Sequence, residues 1–434
     1  MLRSMPKTYK FLTEQLKSFD FTKHGQTGDH TFPNMLSLLS ANSYEDVRQW
    51  WRNGVPQDAF NLIWNDFERA GYRTLFTEDK PSGGGFYWTG NTFLHPQTSY
   101  WNRPLELAME QEEHFLWRER SCVGTRPITE YHLDYLVRFL DTFTDAPVAG
   151  MAVISEITHS DTTRASLVDE HILNFYNTLA AKGHLERSVI MFFSDHGSRW
   201  GEIRKTYNGV IDSRNPFLIL TFPPWFLEKY PDLVRTLQTN THRLTSHFDT
   251  RLTLLDLLYF KSQIPTPPYR GKHGLSLFHE IPRNRTCADA SIPAEQCLCG
   301  VKVENYISTA SPVVPTLTQA LLSAIKQKSD PVQCEEYFLG RVLQVGILAL
   351  PAPNRTMAQS TSVYSVRLAV EPGGAIFEAT VTMEPETNET NIGNSITRLN
   401  MYRGEVECLP SPKQQMYCYC KRNRRFKNRQ GVIQ

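Results

Sequence analysis

One stretch constrains this chain more than any other: Val189-Ile-Met-Phe-Phe-Ser-Asp195-His196-Gly197-Ser-Arg199. Val189 to Phe193 is a continuous apolar run rich in β-branched and aromatic residues. It reads as a strand buried on both faces, the kind found in parallel sheets. The run stops at Ser194, and an acid, an imidazole and a glycine follow at once. In open α/β sheets, ligands bind beyond the carboxyl ends of the strands. A carboxylate beside an imidazole at such an edge suits a zinc- or manganese-like cation. Gly197 lets the backbone turn sharply. Arg199 adds a rigid positive fork matched to phosphate or sulfate oxygens. The plain alternative is an Asp-Gly-type turn carrying a surface histidine, and the dipeptide alone does not decide between the two.

The rest of the first half supplies a frame for that strand. Strands are expected at Tyr72–Phe76, running into Thr77-Glu78-Asp79, at Val148–Ile154 and at Asn215–Phe222. Helical spacing marks Lys7–Phe19, Glu45–Asn53, Pro56–Ala70, Ile128–Thr142, Ser166–Gly183, Pro231–Thr239 and Phe248–Leu258. Alternating strands and helices predict an α/β core with a mostly parallel sheet between helices, over residues 1–280. From about Ile281 the pattern changes to cysteines, sequons and prolines. Val313–Gln327 is one amphipathic helix. Ser362–Val370 and Ala375–Met383 alternate around Pro372-Gly-Gly, which predicts an antiparallel hairpin. Residues 281–434 are therefore expected to form a small cysteine-rich, β-containing C-terminal domain.

Composition narrows the function classes. The chain has 434 residues, 40% hydrophobic and 21% charged, enough for a real core. A formal net charge of +1 gives no electrostatic case for nucleic acid or an acidic membrane surface. The only basic cluster, Lys421-Arg-Asn-Arg-Arg-Phe-Lys-Asn-Arg, reads as a solvated tail. No apolar run is long enough to span a bilayer, so no membrane segment is expected in this chain. Seven of the eight cysteines lie from Cys287 onward. An even total, clustered mostly in one loop-rich region, predicts a disulfide framework, with a zinc site as the competitor. Asn284-Arg-Thr, Asn354-Arg-Thr and Asn388-Glu-Thr are glycosylation sequons in the same half. Together these predict an extracellular glycoprotein, in the extracellular space or at the outer face of a membrane.

Further candidates sit at other element ends. Thr31 opens a helix, with Pro33 in its first turn, so its hydroxyl meets unpaired N–H donors and the positive end of the dipole. Near a metal held by Asp195 and His196 it would become a nucleophile. Asn34, one turn on, can donate to a substrate oxygen. The plain reading of Thr31 is an ordinary N-cap. Glu156, His159 and Asp161 follow the Val148–Ile154 strand and can supply a second metal site or clamp a substrate; as plain structure, Asp161 would be a cap. His247 and His273 are isolated candidates for a distant ligand, otherwise core or surface histidines. Cys122 reads as a buried thiol. There is no G-x-S-x-G elbow, P-loop or G-x-G-x-x-G.

Ser194-Asp195-His196-Gly197 after an apolar strand, with Thr31-Phe-Pro-Asn34 opening a helix, resembles the alkaline phosphatase/sulfatase superfamily. The Thr-Phe-Pro-Asn stretch is similar to the nucleophile motif of its nucleotide pyrophosphatase/phosphodiesterase branch. Nearly the whole chain resembles the sulfatase-like extracellular family named for domain of unknown function 229 (DUF229). The phrases that carry it are Arg3-Ser-Met-Pro-Lys-Thr8, Thr31-Phe-Pro-Asn34, Tyr100-Trp-Asn-Arg103, Ser194 to Arg199, Asp256-Leu-Leu, Arg285-Thr-Cys287, Ile292-Pro with Cys297-Leu-Cys299, and Cys418-Tyr-Cys420.

The resemblance implies an alkaline-phosphatase-like core and a metal-dependent hydrolase of phosphate or sulfate esters. On it, Thr31 attacks; Asp195, His196 and Thr31 hold one divalent ion, zinc or manganese; and Asn34, Arg199 and His159 bind a small anionic ester or a glycan- or lipid-linked one. Glu156 and Asp161 would form a second metal set, although the Asp-x-x-x-His spacing of two-zinc members is absent. The superfamily also carries an early strand ending in an acidic metal ligand, and this sequence starts after that point. The chain is thus expected to be N-terminally truncated, with its first strand missing and its activity open to loss. A non-catalytic, glycosylated binding or structural protein that keeps the fold is the alternative.

Overall fold

A computed structural model of the chain describes residues 3–87, 93–111, 122–159, 161–199, 201–260, 272–299, 303–348, 362–384, 386–400, 402, 404–409 and 412–421. Asn354 and residues 422–429 of the basic tail lie outside the described residues. The chain divides into two compact units. One comprises Met1–Ser198 with Ile211–Cys297, the other Arg199–Val210 with Leu298–Gln434.

The strands that organise the first unit are β1 (Phe19–Asp20), β2 (His24–Gly25), β3 (Arg73–Glu78), β4 (Tyr100–Trp101), β5 (Val148–Val153), β6 (Ile190–Phe193), β7 (Leu218–Thr221) and β8 (Thr245–Ser246). They pair as two three-stranded sheets and one short ladder. The sheet ordered β4-β3-β5 is parallel throughout, with Arg73 opposite Val148 and Leu75 opposite Tyr100. The sheet ordered β1-β7-β6 is antiparallel, with Phe193 opposite Leu218 and Phe19 opposite Leu220. The α/β class holds, but its sheets are mixed. The strand before Asp195 is half-buried and antiparallel to its neighbour, where the apolar run predicted a doubly buried parallel strand. A hydrophobic run reports burial and leaves strand direction open.

Helices cover both faces. On one side α1 (Thr31–Ser40) packs with the later helix His247–Leu258; Phe32, Leu36 and Leu255 join Met151, Val153 and Phe193 there. On the other, α2 (Ile128–Thr142) and α3 (Asp169–Ala181) bring Leu133, Val137, Ile172 and Tyr176 against Ile190 and Phe192. The helix α4 (His247–Leu258) starts from a capping box in which Ser246 and Asp249 satisfy each other's backbone N–H. The Asp249 carboxylate is fully buried. It accepts Ser246 N at 2.8 Å, Leu275 N at 2.6 Å, and both terminal nitrogens of Arg285 at 2.7 and 2.8 Å. The disulfide Cys287–Cys297 closes the loop beside Arg285.

The second unit is a five-stranded antiparallel sheet in chain order: β9 (Val303–Tyr306), β10 (Phe338–Leu348), β11 (Ser362–Glu371), β12 (Ala375–Met383) and β13 (Thr390–Arg398). The predicted hairpin is β11–β12, with Val370 opposite Ala375. Its turn needs glycine: Gly373 has φ +91°, and a Cβ there would lie 2.4 Å from the Tyr419 ring. The helix α5 (Val314–Lys328) lays Leu317, Leu321 and Ile325 on Val366, Leu368, Phe377 and Val381. Cys334–Cys418 and Cys408–Cys420 staple the C-terminal segment. The disulfide framework of the sequence reading is thus present as three bridges among the described residues, while Cys122 is a free thiol.

Removing Arg285 would leave the Asp249 charge buried with only backbone donors. Arg285→Ala is expected to cost about 3–5 kcal/mol in urea unfolding. A loss under about 1 kcal/mol would show that the pair does not hold α4 in place.

Candidate active site

Thr31 is the first residue of α1, and His30, in extended backbone, precedes it as the cap. Thr31 is therefore not the N-cap, and no side-chain capping bond is made. Its hydroxyl instead faces His196, with Oγ1 3.4 Å from Nε2. His196 Nδ1 lies 2.6 Å from the Gly197 carbonyl, which can only accept, so Nδ1 carries the proton. In the neutral ring, the form that binds a cation, Nε2 is then the bare nitrogen; in the charged ring the positive charge faces Asp195. Asp195 Oδ2 lies 3.5 Å from Nε2. That oxygen is buried and has no hydrogen-bond partner. Burial alone would raise the Asp195 pKa, but His196 and the Thr31 hydroxyl outweigh it and hold the carboxyl below its ordinary value.

The local backbone explains why this geometry forms. Ser194 N donates to Phe217 O at 3.0 Å and Phe217 N to Ser194 Oγ at 3.1 Å, which pins the end of β6. Gly197 is needed for close approach and not for a left-handed turn: its φ is not positive, and a Cβ would lie 2.0 Å from the Asp212 carbonyl oxygen. Gly197 N also donates to Ser213 O at 3.0 Å. The Asp195 carbonyl accepts a bond from His247 Nε2 at 2.7 Å.

The remaining expected residues fall elsewhere. Asn34 is fully buried and its amide is spent on the 27–30 loop: Oδ1 accepts from Thr27 N, Thr27 Oγ1 and Gly28 N, and Nδ2 donates to Gly28 O and His30 O. It shapes the approach to Thr31 and has no N–H left for a substrate. Asp161 caps the turn after it, accepting Thr163 N at 2.9 Å, and Glu156 pairs with Lys80 at 3.3 Å. His159 is exposed at the end of the one-turn helix Glu156–His159. No three side chains drawn from this group bring ligand atoms within 4.8 Å of one another, so the described residues hold no second metal set there. Arg199 belongs to the second unit. His273 bridges Ser291 Oγ and Asp46 Oδ2 at 2.8 and 2.9 Å, a structural role.

The family described as protein of unknown function (DUF229) matches residues 1–343. The chain belongs to this family. No curated protein matches it. Among solved structures, this DUF229 chain is similar to the phosphonate monoester hydrolase SpPMH of Silicibacter pomeroyi, at 14% identity and a TM-score of 0.44, covering 90% of this chain and 85% of that one. It is also similar to the phosphonate monoester hydrolase of Agrobacterium radiobacter (13%, 0.39, 88% and 85%). A third such structure is the PsFucS1 sulfatase from a Pseudoalteromonas species (13%, 0.38, 67% and 70%).

The donor set fits a divalent cation. Asp195 Oδ2 is a buried, ionised oxygen with nothing to satisfy it, His196 presents its unprotonated nitrogen, and Thr31 adds a hydroxyl. Oxygen and imidazole donors suit zinc or manganese. Two histidines escaped the sequence reading as parts of the site. His247 is legible only as an isolated candidate and nothing in the sequence singles out His24, because a two-residue ladder, β2 with β8, is what brings them together.

The carboxyl end of β3 has its own electrostatics. Glu78, Asp79 and Glu106 are all buried. A Cβ on Gly84 would lie 2.0 Å from Glu78 Oε1, so only glycine can pass there. Burial pushes Glu106 up to about 7 and Asp79 up to about 6, and drives Glu78 well above its ordinary value. A carboxyl whose folded pKa is raised binds more protons folded than unfolded. Its contribution is whole below the unfolded value and is lost as pH climbs to the folded one. Buried His132 and His247, held down to about 4, act in the opposite sense over that range, so the carboxyl contribution is read by difference: the melting temperature of Glu106→Gln is expected to climb relative to wild type from about pH 5 to about pH 7.5. A difference between Glu106→Gln and wild type that stays level across the window would contradict the burial argument.

Proposed function

We propose that this chain is an extracellular, metal-dependent hydrolase of phosphate or sulfate esters in which Thr31 is the nucleophile. One observation carries the reading: Thr31 Oγ1, His196 Nε2 and Asp195 Oδ2, from segments 165 residues apart, converge within 3.5 Å of the imidazole nitrogen. The supporting chemistry is specific. Thr31 stands at the N-terminus of a ten-residue helix, whose first-turn N–H groups and dipole favour an anionic oxygen. Asp195, His196 and Thr31 would hold the ion. When bound, a divalent cation there supplies Lewis acidity, lowering the pKa of a coordinated hydroxyl and polarising an ester oxygen. The His196 Nδ1–H bond to Gly197 O fixes the tautomer whose Nε2 lone pair could hold the ion. Asn34 holds the loop that presents Thr31. Substrates are small anionic esters or esters linked to a glycan or lipid.

The extracellular assignment rests on the three disulfides and on the exposure of Asn284 and Asn388, two of the three sequon asparagines. No helix of the described residues is long and apolar enough to cross a membrane. A second reading, a non-catalytic glycosylated binding protein, is favoured by a single observation: among the described residues no third His, Cys, Asp or Glu joins Asp195 and His196.

The two readings separate in one assay. With zinc or manganese added, the chain is offered an aryl phosphate, an aryl sulfate and an aryl phosphodiester. Turnover of one of them, abolished by Thr31→Ala, is expected. Silence toward all three by a chain that has bound the metal would sink the hydrolase and leave the binding protein.

A further inference from the structure

We infer that His24 and His247 form a buried relay whose task is to fix the Asp195 backbone and so aim the Asp195 carboxylate and His196 at a cation. The inference rests on the proposed metal site and extends it to two residues that do not touch the ion. Both imidazoles are at most 1% exposed. They stand edge to face, with ring centroids 4.8 Å apart. Three contacts run in line: Thr245 Oγ1 to His24 Nδ1 at 3.0 Å, His24 Nε2 to His247 Nδ1 at 3.2 Å, and His247 Nε2 to the Asp195 carbonyl at 2.7 Å.

Only one proton arrangement satisfies all three when both rings are neutral. A carbonyl accepts and never donates, so His247 carries its proton on Nε2 and is bare at Nδ1. His24 must then donate from Nε2 and is bare at Nδ1, which leaves the Thr245 hydroxyl as the donor at the far end. Every polar atom along the line is satisfied, and the line ends on the peptide of the candidate ligand.

The backbone is arranged to deliver this. The β2–β8 pairing sets His24 opposite Thr245. His247 is the first residue of α4, whose start is locked by Ser246, Asp249 and Arg285. A pair of apolar side chains would fill the same space but leave the Asp195 carbonyl without its donor, at the cost of a lost buried bond. With that carbonyl fixed, the Asp195 side chain has its root fixed, and Oδ2 stays turned toward His196 Nε2. Groups that orient metal ligands in this way commonly govern affinity by one to two powers of ten.

The test titrates the full chain with Mn²⁺ or Zn²⁺ by calorimetry. His247→Ala is expected to weaken binding about 10- to 100-fold. His247→Gln keeps an N–H near the Nε2 position and is expected to bind within about threefold of wild type. Circular dichroism checks that each variant is folded. Side-chain ¹⁵N spectra of the unliganded chain are expected to show both histidines in the Nε2–H form. If wild type binds no cation, or Asp195→Ala binds as well as wild type, the metal site itself is wrong. If wild type binds, Asp195→Ala does not, and folded His247→Ala still binds within about threefold, the relay alone is overturned. An Nδ1–H tautomer at either histidine overturns it too. Should His247→Ala fail to fold, the glutamine variant and the spectra decide: a folded His247→Gln that loses about tenfold or more refutes the relay.

Discussion

The first unit depends on one buried carboxylate. Asp249 takes four hydrogen bonds, two from backbone nitrogens and two from Arg285. It thereby joins three stretches of chain: the start of α4, the turn around Leu275, and the segment of Arg285 just before the disulfide-closed loop. A charge in that position is tolerable only because its partner is bidentate and the remaining lone pairs are used. Its consequence reaches the candidate site within two residues. His247 lies between the two capping-box residues, Ser246 and Asp249, and its ring holds the peptide of Asp195. The precision of a site at a strand end is therefore set by an ion pair that never touches it.

That dependence also explains why Thr31 differs from an ordinary helix-capping threonine. The cap position belongs to His30, and the 27–30 loop is closed over the buried amide of Asn34. A hydroxyl at the first helical position is released from capping and meets His196 across the layer. Its neighbour Phe32 packs edge-on against Phe86, which anchors the start of α1 to the loop after β3. The reactive atoms are thus carried by elements whose rigidity comes from aromatic packing beneath and hydrogen bonding behind.

Much of this was legible in the sequence, for reasons that are physical. The helix Ile128–Thr142 appears with its expected ends because its apolar spacing is regular over four turns. The β11–β12 hairpin appears where alternation flanks Pro372-Gly-Gly. Thr31, Asp195 and His196 could be singled out because reactive groups stood at element ends. Strand direction could not be read, since a short apolar run is equally at home beside either neighbour, and β6 proved antiparallel. The role of Asn34 was misjudged because a polar residue one turn into a helix looks available until its partners are known. Asp161 likewise turned out to serve its own backbone. His24 and His247 lie 223 residues apart and meet through a ladder of two residues per strand, below what any periodicity can reveal.

The passage from Arg199 to Val210 has a practical consequence. It is flanked on both sides by chain of the first unit, yet it packs with the second, where Arg204 and Arg367 share the buried Glu378. The polypeptide therefore leaves the first unit, returns to it, and leaves again. No single scissile point yields two intact pieces. A fragment ending near residue 297 would keep Arg204 while discarding its counter-charge, and one starting there would keep Glu378 while discarding an arginine. Recombination that swaps the C-terminal half would have to exchange this internal segment with it.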